Sequence, residues 1–239
     1  MTCPMLRRMA AGLALASAVP IYASSPQLGG PMKHALVSQA GNRIVVGLEG
    51  DPLERLELRD YDELYDPPAD VLDGRKYNGQ YGWLANGFFS LPPGSAIWVR
   101  RDAQTSGLDA YEALTFSPIL GTDDAQEIWR WSGSMVHNWY ATDACGDFEA
   151  SYTVYVGDTS GVPISGWLPG TVTFLWRAGD SLPGDLNHSG TVDLEDLSTL
   201  LSNFGLSGMK PEDGDLTGDG NVALADLASL LENFGLSCS

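Results

Sequence analysis

Short apolar runs separated by turn-forming residues make up the chain from residue 24 to residue 178. In SYTVYVG and TVTFLW, which begin at Ser151 and Thr171, apolar and aromatic residues alternate with small polar ones. This two-residue period is typical of strands that bury one face. HALVSQ, RIVVGLEG, AIWVRR, EALTFS and FEASYTVYVG are further strand candidates, and no convincing long helical pattern lies among them. We therefore predict an antiparallel β-sandwich over residues 24–178.

A helical period replaces this alternation near the carboxyl end, where the sequence repeats itself. Residues 184–207 and 214–237 align without a gap and are identical at 15 of 24 positions. Apolar residues then recur at the spacing of one helix face. They are Leu194, Leu197, Leu200, Leu201 and Phe204 in the first copy, and Leu224, Leu227, Leu230, Leu231 and Phe234 in the second. Because neither helix can bury its stripe alone, the pattern predicts a small all-α unit in which leucines of the two copies face each other.

The ends of the two predicted helices are marked in the sequence. Asp193 stands where a side chain can cap the start of the first helix. Each stripe ends at Asn-Phe-Gly, and Gly205 or Gly235 can adopt the left-handed conformation that stops a helix.

A twelve-residue loop rich in oxygen-bearing side chains precedes each stripe. Acidic, amide and hydroxyl residues fall at alternate positions, and a glycine, Gly190 or Gly220, stands sixth. Such side chains converge when the loop curls round a cation; the glycine permits the sharp turn, and a backbone carbonyl supplies position 7. We predict two EF-hand-like Ca²⁺ sites, formed by Asp185, Asn187, Ser189, Thr191, Asp193 and Asp196, and by Asp215, Thr217, Asp219, Asn221 and Asp226. Val192 and Val222, at position 8, are expected to hold the two loops together.

The duplicated loop and helix, with Asp at position 12 and no helix ahead of the loop, resembles the type I dockerin family over residues 184–239. The resemblance implies that residues 185–239 bind calcium through the ligands named above and dock on a cohesin-like domain or another surface protein. It also implies that they carry an enzyme or a carbohydrate-binding domain into a polysaccharide-degrading assembly. Leu194-Glu195 and Leu224-Ala225 replace the hydroxyl pair that contacts cohesin in the family. A calcium clip that only stabilises the end of a secreted protein is the alternative.

The amino terminus has the three-part pattern of a secretory signal peptide. A basic pair beginning at Arg7 precedes an apolar run over residues 9–19 and small residues around Ala23. The run is too short to span a bilayer stably, so we interpret residues 1–23 as a signal peptide cleaved near Ala23. The prediction is a secreted or cell-surface protein, extracellular or periplasmic, with no membrane span.

Charge and cysteine content narrow the range of partners. The chain carries 31 acidic and 13 basic residues, a formal net charge of −18, so it should repel nucleic acid and favour divalent cations. Cys145 and Cys238 remain after the signal peptide, and the sequence leaves their pairing open. Residues 179–184, rich in turn formers, are expected to link the β domain to the C-terminal module.

Aromatic residues supply ligand-binding candidates in the β domain. Tyr77, Tyr81 and Trp83 lie in a stretch, residues 61–83, that we expect to form a long loop. Exposed aromatic faces beside carboxylates and amides suit sugar rings. The alternative is that these aromatic side chains fill the ends of the sandwich.

His137, in MVHNWYATD, is the remaining candidate. Its surroundings are similar to those of secreted anchor-bearing domains, a likeness that implies no activity, whereas His34 is isolated in the sequence. A lone histidine is more often packed and hydrogen-bonded than a ligand. The last two strand candidates resemble the closing strands of an immunoglobulin-like domain, and a jelly roll is the other topology considered.

Catalysis has no positive support in the sequence. Acidic residues are abundant over residues 57–70, but no motif of a serine hydrolase, metalloprotease or phosphate-binding loop occurs. The leading hypothesis is a secreted calcium-binding protein whose tail tethers or stabilises a non-catalytic β-sandwich that binds polysaccharide. The alternatives are a glycoside hydrolase or its accessory, and a cell-surface structural protein with a calcium-stabilised tail.

Overall fold

A computed structural model describes residues 22–23, 25–179 and 182–238. Within these residues the chain is mainly β, with fifteen strands, three 3₁₀ helices and two α-helices, which confirms the predicted fold class at this level. Residues 1–21 of the predicted signal peptide and residues 180–181 of the predicted linker lie outside the described residues, whereas the last two residues of the predicted signal peptide, Tyr22 and Ala23, form a short strand. Among the described helices, none is both long and apolar enough to cross a membrane.

The strands are β1 (Tyr22–Ala23), β2 (Lys33–Ala40), β3 (Arg43–Leu48), β4 (Leu56–Leu58), β5 (Leu64–Tyr65), β6 (Lys76–Asn78), β7 (Tyr81–Ala85), β8 (Ala96–Gln104), β9 (Asp109–Tyr111), β10 (Pro118–Ile119), β11 (Ile128–Trp131), β12 (Val136–His137), β13 (Trp139–Thr142), β14 (Gly146–Gly157) and β15 (Gly170–Ala178). The α-helices are α1 (Leu194–Ser202) and α2 (Leu224–Glu232). The 3₁₀ helices are Ala69–Leu72, Thr122–Asp124 and Pro211–Asp213.

Three sheets of four or five strands form the β part. Sheet I has the order β12-β7-β2-β3, sheet II the order β11-β8-β14-β15-β4, and sheet III the order β10-β9-β13-β6. A short pair, β1 with β5, stands apart from them. The longest pairing joins β14 to β15, the two strands whose alternating pattern is clearest in the sequence.

The pairing is mixed, so the expectation of a purely antiparallel arrangement is wrong. β2 runs parallel to β7, β4 parallel to β15, and β1 parallel to β5. Parallel neighbours need a long crossover. Several other strands separate β2 from β7 along the chain, and this length lets β7 return in the direction of β2.

EALTFS was expected to be a strand and is a turn between β9 and β10. One oxygen of the Glu112 carboxylate accepts hydrogen bonds from the backbone of Leu114 and Thr115 and from the Thr115 hydroxyl, at 2.8–2.9 Å. Phe116, next in the chain, has a φ of 53°. A local hydrogen-bond network of this kind competes with strand pairing and turns the chain.

An aromatic core lies between sheets I and II. The ring of Phe174, on β15, stacks on that of Tyr81, on β7, with centroids 4.1 Å apart, and lies 5.2 Å from the ring of Trp83. Tyr152 of β14 and Tyr140 of sheet III contact the same ring. All five side chains are fully buried. Phe174 is therefore the centre of the packing that holds the sheets together.

The two helices match the repeated leucine stripes, but they bury less of them than expected. Leu200 and Leu230 are fully buried, together with Val192 and Val222. The remaining stripe residues are half-buried or exposed, so the expectation that the two stripes face each other holds only for Leu200 and Leu230. Each helix has only nine residues, so only a narrow face of it contacts the other helix and becomes buried.

A disulfide joins the last residues of the chain to the β part. Cys145, just before β14, pairs with Cys238, with Cα atoms 6.3 Å apart. The amide of Asp147 donates a hydrogen bond of 3.1 Å to the carbonyl of His188, and the amide of Cys238 donates one of 2.9 Å to the carbonyl of Gly190. The first loop is therefore fastened between the start of β14 and the end of the chain.

We predict that Phe174→Ala lowers the free energy of unfolding by about 3–5 kcal/mol, because it empties the centre of the aromatic core. Phe88→Ala is the matched control, since the Phe88 side chain is fully exposed. Urea unfolding of both variants, followed by tryptophan fluorescence, measures the difference. Similar losses in the two variants would contradict the assignment of Phe174 to the centre of the core.

Candidate functional site

The two repeated loops have nearly the same backbone. Position 6 is Gly190 in the first loop and Gly220 in the second, with φ of 88° and 82°. Position 4 is His188 or Gly218, and it also has a positive φ, of 54° or 73°. Two left-handed residues so close together curl each loop tightly, as the sequence pattern predicts.

The first residue of each loop holds the loop closed from within. One carboxylate oxygen of Asp185 accepts from the amide of Ser189 at 3.0 Å, and the other accepts from Gly190 at 2.9 Å. Asp215 makes the same two bonds, to Asp219 at 3.1 Å and to Gly220 at 2.8 Å. The position 1 side chain is thereby directed into the middle of its loop.

The twelfth residue closes the loop from the helix side. Asp196 accepts from the amides of Asn187 and Asp193 at 3.2 and 2.9 Å. Asp226 accepts from the equivalent amides of Thr217 and Ala223 at 2.9 and 2.8 Å. Burial raises the pKa of Asp226, but these backbone hydrogen bonds outweigh it, and the net pKa is lowered. The charged form is the one that the loop favours.

These four carboxylates are buried in the loops. Asp196 and Asp226 are 0% exposed, Asp215 is 3% exposed and Asp185 is 9% exposed. The ion pairs of the described residues involve none of them. A buried carboxylate is costly unless hydrogen bonds or a positive charge offset its desolvation. Each loop therefore contains two buried carboxylates whose hydrogen bonds come from its own backbone.

Other predicted ligands differ between the loops. Asp193 caps α1, as predicted, by accepting from the amide of Glu195 at 2.8 Å, whereas Ala223 offers α2 no side-chain cap. In the first loop the Ser189 hydroxyl lies 3.1 Å from that of Thr191. In the second, Asp219 accepts from the amide of Asn221 at 2.8 Å. Among the described residues no three His, Cys, Asp or Glu side chains form a metal-ligand group, so Asn, Ser, Thr and backbone oxygens would have to complete each site.

The valines at position 8 connect each loop to the other repeat. Val192 exchanges backbone hydrogen bonds with Gly235 and Leu236, which follow α2, at 2.8 and 3.0 Å. Val222 exchanges equivalent bonds with Gly205 and Leu206, which follow α1, at 2.8 and 3.1 Å. Both valines are also buried in one core cluster, so they hold the two repeats together through packing and through this reciprocal exchange. This exchange relates the repeats by an approximate twofold symmetry.

The two copies carry matching sets of exposed apolar side chains, and we call each set an apolar face. Each face has four large exposed side chains at equivalent positions. They are Leu194, Leu201, Phe204 and Leu206 in one copy, and Leu224, Leu231, Phe234 and Leu236 in the other. Leu194 is 71% exposed and Leu224 73% exposed. Among the described residues these eight make up nearly half of the seventeen large apolar side chains that are exposed, so apolar surface is concentrated in the module.

Tyr77, Tyr81 and Trp83 do not form the expected sugar-binding surface. Their exposure is 1% or less, because they lie on β6 and β7 and pack into the core clusters. The expected long loop over residues 61–83 is in fact divided among β5, a 3₁₀ helix, β6 and the start of β7. The alternative, that these aromatic residues pack in the core, is the arrangement in the structure.

His137 has a partner that the sequence did not reveal. Its Nε2 lies 3.2 Å from the Nε2 of His34, and its Nδ1 lies 3.0 Å from the carbonyl oxygen of Gly79. The Nδ1 of His34 lies 2.6 Å from Oε2 of Glu49. Burial lowers the pKa of His137, and the hydrogen bond from His34 lowers the pKa of Glu49. The interpretation of His34 as isolated is wrong, because β2 and β12 both pair with β7, which brings together residues 103 positions apart.

No protein-family model matches the chain, and no curated protein matches it either. Among solved structures, the chain is similar to two interface mutants of a type II cohesin–X-dockerin complex from Acetivibrio cellulolyticus. The C-terminal interface mutant is 17% identical, over 55% of this chain and 83% of that chain, with a TM-score of 0.20. The N-terminal interface mutant is 15% identical, over 63% and 91%, also with a TM-score of 0.20. Likenesses at this TM-score carry no argument about fold or function.

The two position 6 glycines provide a test of how the first loop is fastened. Alanine at either site has to adopt a positive φ, which costs about 1–3 kcal/mol. A Cβ at Gly190 would also lie 2.9 Å from the Cβ of Cys145, whereas a Cβ at Gly220 meets nothing within 4 Å. We expect Gly190→Ala to lower the melting temperature more than Gly220→Ala, as measured by calorimetry in excess calcium. Equal shifts would contradict a close contact between the first loop and Cys145.

Proposed function

We propose that the chain is a secreted or cell-surface protein in which a dockerin-like module, residues 185–239, binds two Ca²⁺ ions and attaches a non-catalytic β-sandwich to a partner. In this proposal sheets I and II are the two layers of the sandwich. Residues 24–178 form that domain, residues 179–184 form the linker, and residues 1–23 are removed as a signal peptide near Ala23.

The buried carboxylates support the calcium part of the proposal most strongly. Each loop buries two aspartates that form no ion pair among the described residues. Oxygen ligands at alternate positions suit Ca²⁺, which accepts carboxylates, amides, hydroxyls and backbone carbonyls together. Asp185, Asn187, Ser189 and Asp196, with the Thr191 carbonyl, would hold one ion, and Asp193 would act through water. Asp215, Thr217, Asp219 and Asp226, with the Asn221 carbonyl, would hold the other.

Calcium bound only by the folded module adds to its stability. At a calcium concentration one hundred times the Kd, each site contributes about 2.7 kcal/mol. We therefore expect EDTA to lower the melting temperature of the full chain and calorimetric titration of the calcium-free chain to give two sites. Asp196→Asn and Asp226→Asn should each leave one site.

Glu232→Gln is the matched control for the calcium titration. It removes an exposed carboxylate from the end of α2 without touching either loop. This variant should keep both sites. A melting temperature that is the same in EDTA and in calcium, with no binding heat, would refute the calcium proposal.

The apolar faces support a docking role for the module. Each face carries four large exposed apolar side chains, and apolar surface concentrated in one part of a protein is typical of a protein–protein contact. The proposed occupant is a cohesin-like domain, which would bury one face at a time. Because Leu194 and Leu224 replace polar contact residues of the family, the contact would be mainly apolar. The opposed proposal is that the module is a structural calcium clip for a surface protein.

Docking can be tested with a purified cohesin domain in calcium and in EDTA. Leu194→Asp alters one face and leaves the other intact, so we expect at most about a twofold loss of affinity. Leu194→Asp combined with Leu224→Asp should reduce binding by at least about tenfold, since a charge in each apolar contact costs more than about 1.4 kcal/mol.

Leu53→Asp serves as the control for this experiment, because Leu53 is 78% exposed on the β part. It should bind as the unmodified chain does. No binding of the unmodified chain to the cohesin would favour the structural clip, whereas equal binding by the double variant would place the docking surface away from the two leucines.

The residues that suggested polysaccharide binding are not accessible to a ligand. Tyr77, Tyr81 and Trp83 are in the core, and a buried ring offers no face to a sugar. The proposed function of the β part is therefore limited to being displayed or anchored by the module.

A further inference from the structure

The outer face of sheet I carries a row of four residues, one from each strand or strand end. Gly82 of β7 is paired with His137 of β12 on one side and with His34 of β2 on the other. Glu49, just beyond β3, lies next to His34, and its amide donates to the His34 carbonyl at 3.0 Å. The order across the sheet is thus His137, Gly82, His34 and Glu49. Two imidazoles separated by a strand meet because the residue between them has no side chain.

Hydrogen bonding fixes the tautomer of each ring. The carbonyl oxygen of Gly79 and the carboxylate of Glu49 only accept, so Nδ1 of His137 and Nδ1 of His34 each carry a proton. In the neutral rings both Nε2 atoms are then unprotonated. Their lone pairs are directed into a gap of 3.2 Å between the two nitrogens. Two lone pairs this close repel unless an electrophile lies between them.

We propose that His34 and His137 form a binding site for a divalent transition metal of the zinc type. Zn²⁺ takes imidazole nitrogens at about 2.0–2.1 Å, and two such ligands at a tetrahedral angle lie about 3.3 Å apart. The observed 3.2 Å between the Nε2 atoms is close to this separation. Zinc binds imidazole nitrogen well, whereas the Ca²⁺ ions proposed for the loops are hard cations that prefer oxygen ligands. The metal site is therefore distinct from the calcium sites in place and in chemistry.

The hydrogen-bond acceptors beside the two rings are of the kind that orients histidine ligands in metal sites. A histidine ligand generally donates its other N–H to a carboxylate or a backbone carbonyl, and the pair has one of each. The His34 side chain is 13% exposed and that of Glu49 is 42% exposed, so solvent reaches the row. Water or an exogenous ligand would fill the remaining two positions. With only two protein ligands, the proposed site has two coordination positions open to exchangeable ligands.

The experiment is a calorimetric titration of the full chain with ZnCl₂ at pH 7.5, in excess calcium so that the loops are filled. We expect one zinc site that depends on the histidines. His34→Gln and His137→Gln should each weaken it by at least about tenfold, and Glu49→Gln, which loses only the orienting charge, by about tenfold to a hundredfold. Co²⁺ in place of zinc should give a visible absorption spectrum typical of tetrahedral coordination, and the histidine variants should lose it.

Gly82→Ala tests the geometry without removing a ligand. A Cβ at Gly82 would lie 2.5 Å from Cε1 and Nε2 of His137, so the ring has to move away from His34. We expect this variant to lose zinc binding; Glu49→Gln provides an independent test should Gly82→Ala not fold. His188→Gln is the control, because His188 lies in the first loop, and it should bind zinc as the unmodified chain does.

Three outcomes would overturn the proposal. The first is the absence of zinc binding, which would mean that the two nitrogens share a proton only. The second is zinc binding that is unchanged in His34→Gln and His137→Gln, which would place the metal on surface carboxylates. The third is equal loss in His188→Gln, which would place it in the first loop.

Discussion

The two-residue period of β7 is the constraint on which both faces of sheet I depend. Tyr81 and Trp83 lie on the inner side of this strand and pack against Phe174, which joins sheet I to sheet II. Gly82, between them, lies on the outer side and leaves room for the rings of His34 and His137. A shift in register by one residue would expose the aromatic rings and separate the histidines at once. The core and the histidine pair are thus consequences of one alternation.

The sequence predicted what is local and missed what arises from crossovers. The loops and helices of residues 185–238 could be predicted because each ligand position, cap and turn lies within a few residues of its partner. The strands β14 and β15 could be predicted because their alternation is long. The pairing of β2 with β7 could not, because a parallel neighbour is chosen by the packing of the whole sheet. The prediction that Tyr77, Tyr81 and Trp83 are exposed failed for a different reason. Gly- and Pro-rich surroundings also occur around short buried strands.

The exchange of backbone hydrogen bonds makes the two repeats depend on each other. Val192 needs the segment after α2, and Val222 needs the segment after α1, so neither repeat has a complete set of partners alone. The conformation of one loop therefore positions the end of the other helix. The same coupling positions exposed apolar side chains, because Phe204, Leu206, Phe234 and Leu236 follow the helices directly. The conformation of the loops and the exposed apolar side chains thus depend on the same backbone hydrogen bonds.

The disulfide between Cys145 and Cys238 closes a covalent ring that contains β14, β15, both loops and both helices. A pulling force applied to the module by an anchored partner would therefore be divided between two covalent routes. One runs through the segment between β15 and the first loop, and the other runs through the sulfur atoms to the start of β14, an inner strand of sheet II. Stretching the molecule between its two parts would require the ring itself to open, so the disulfide limits how far the module can be drawn away from the β part.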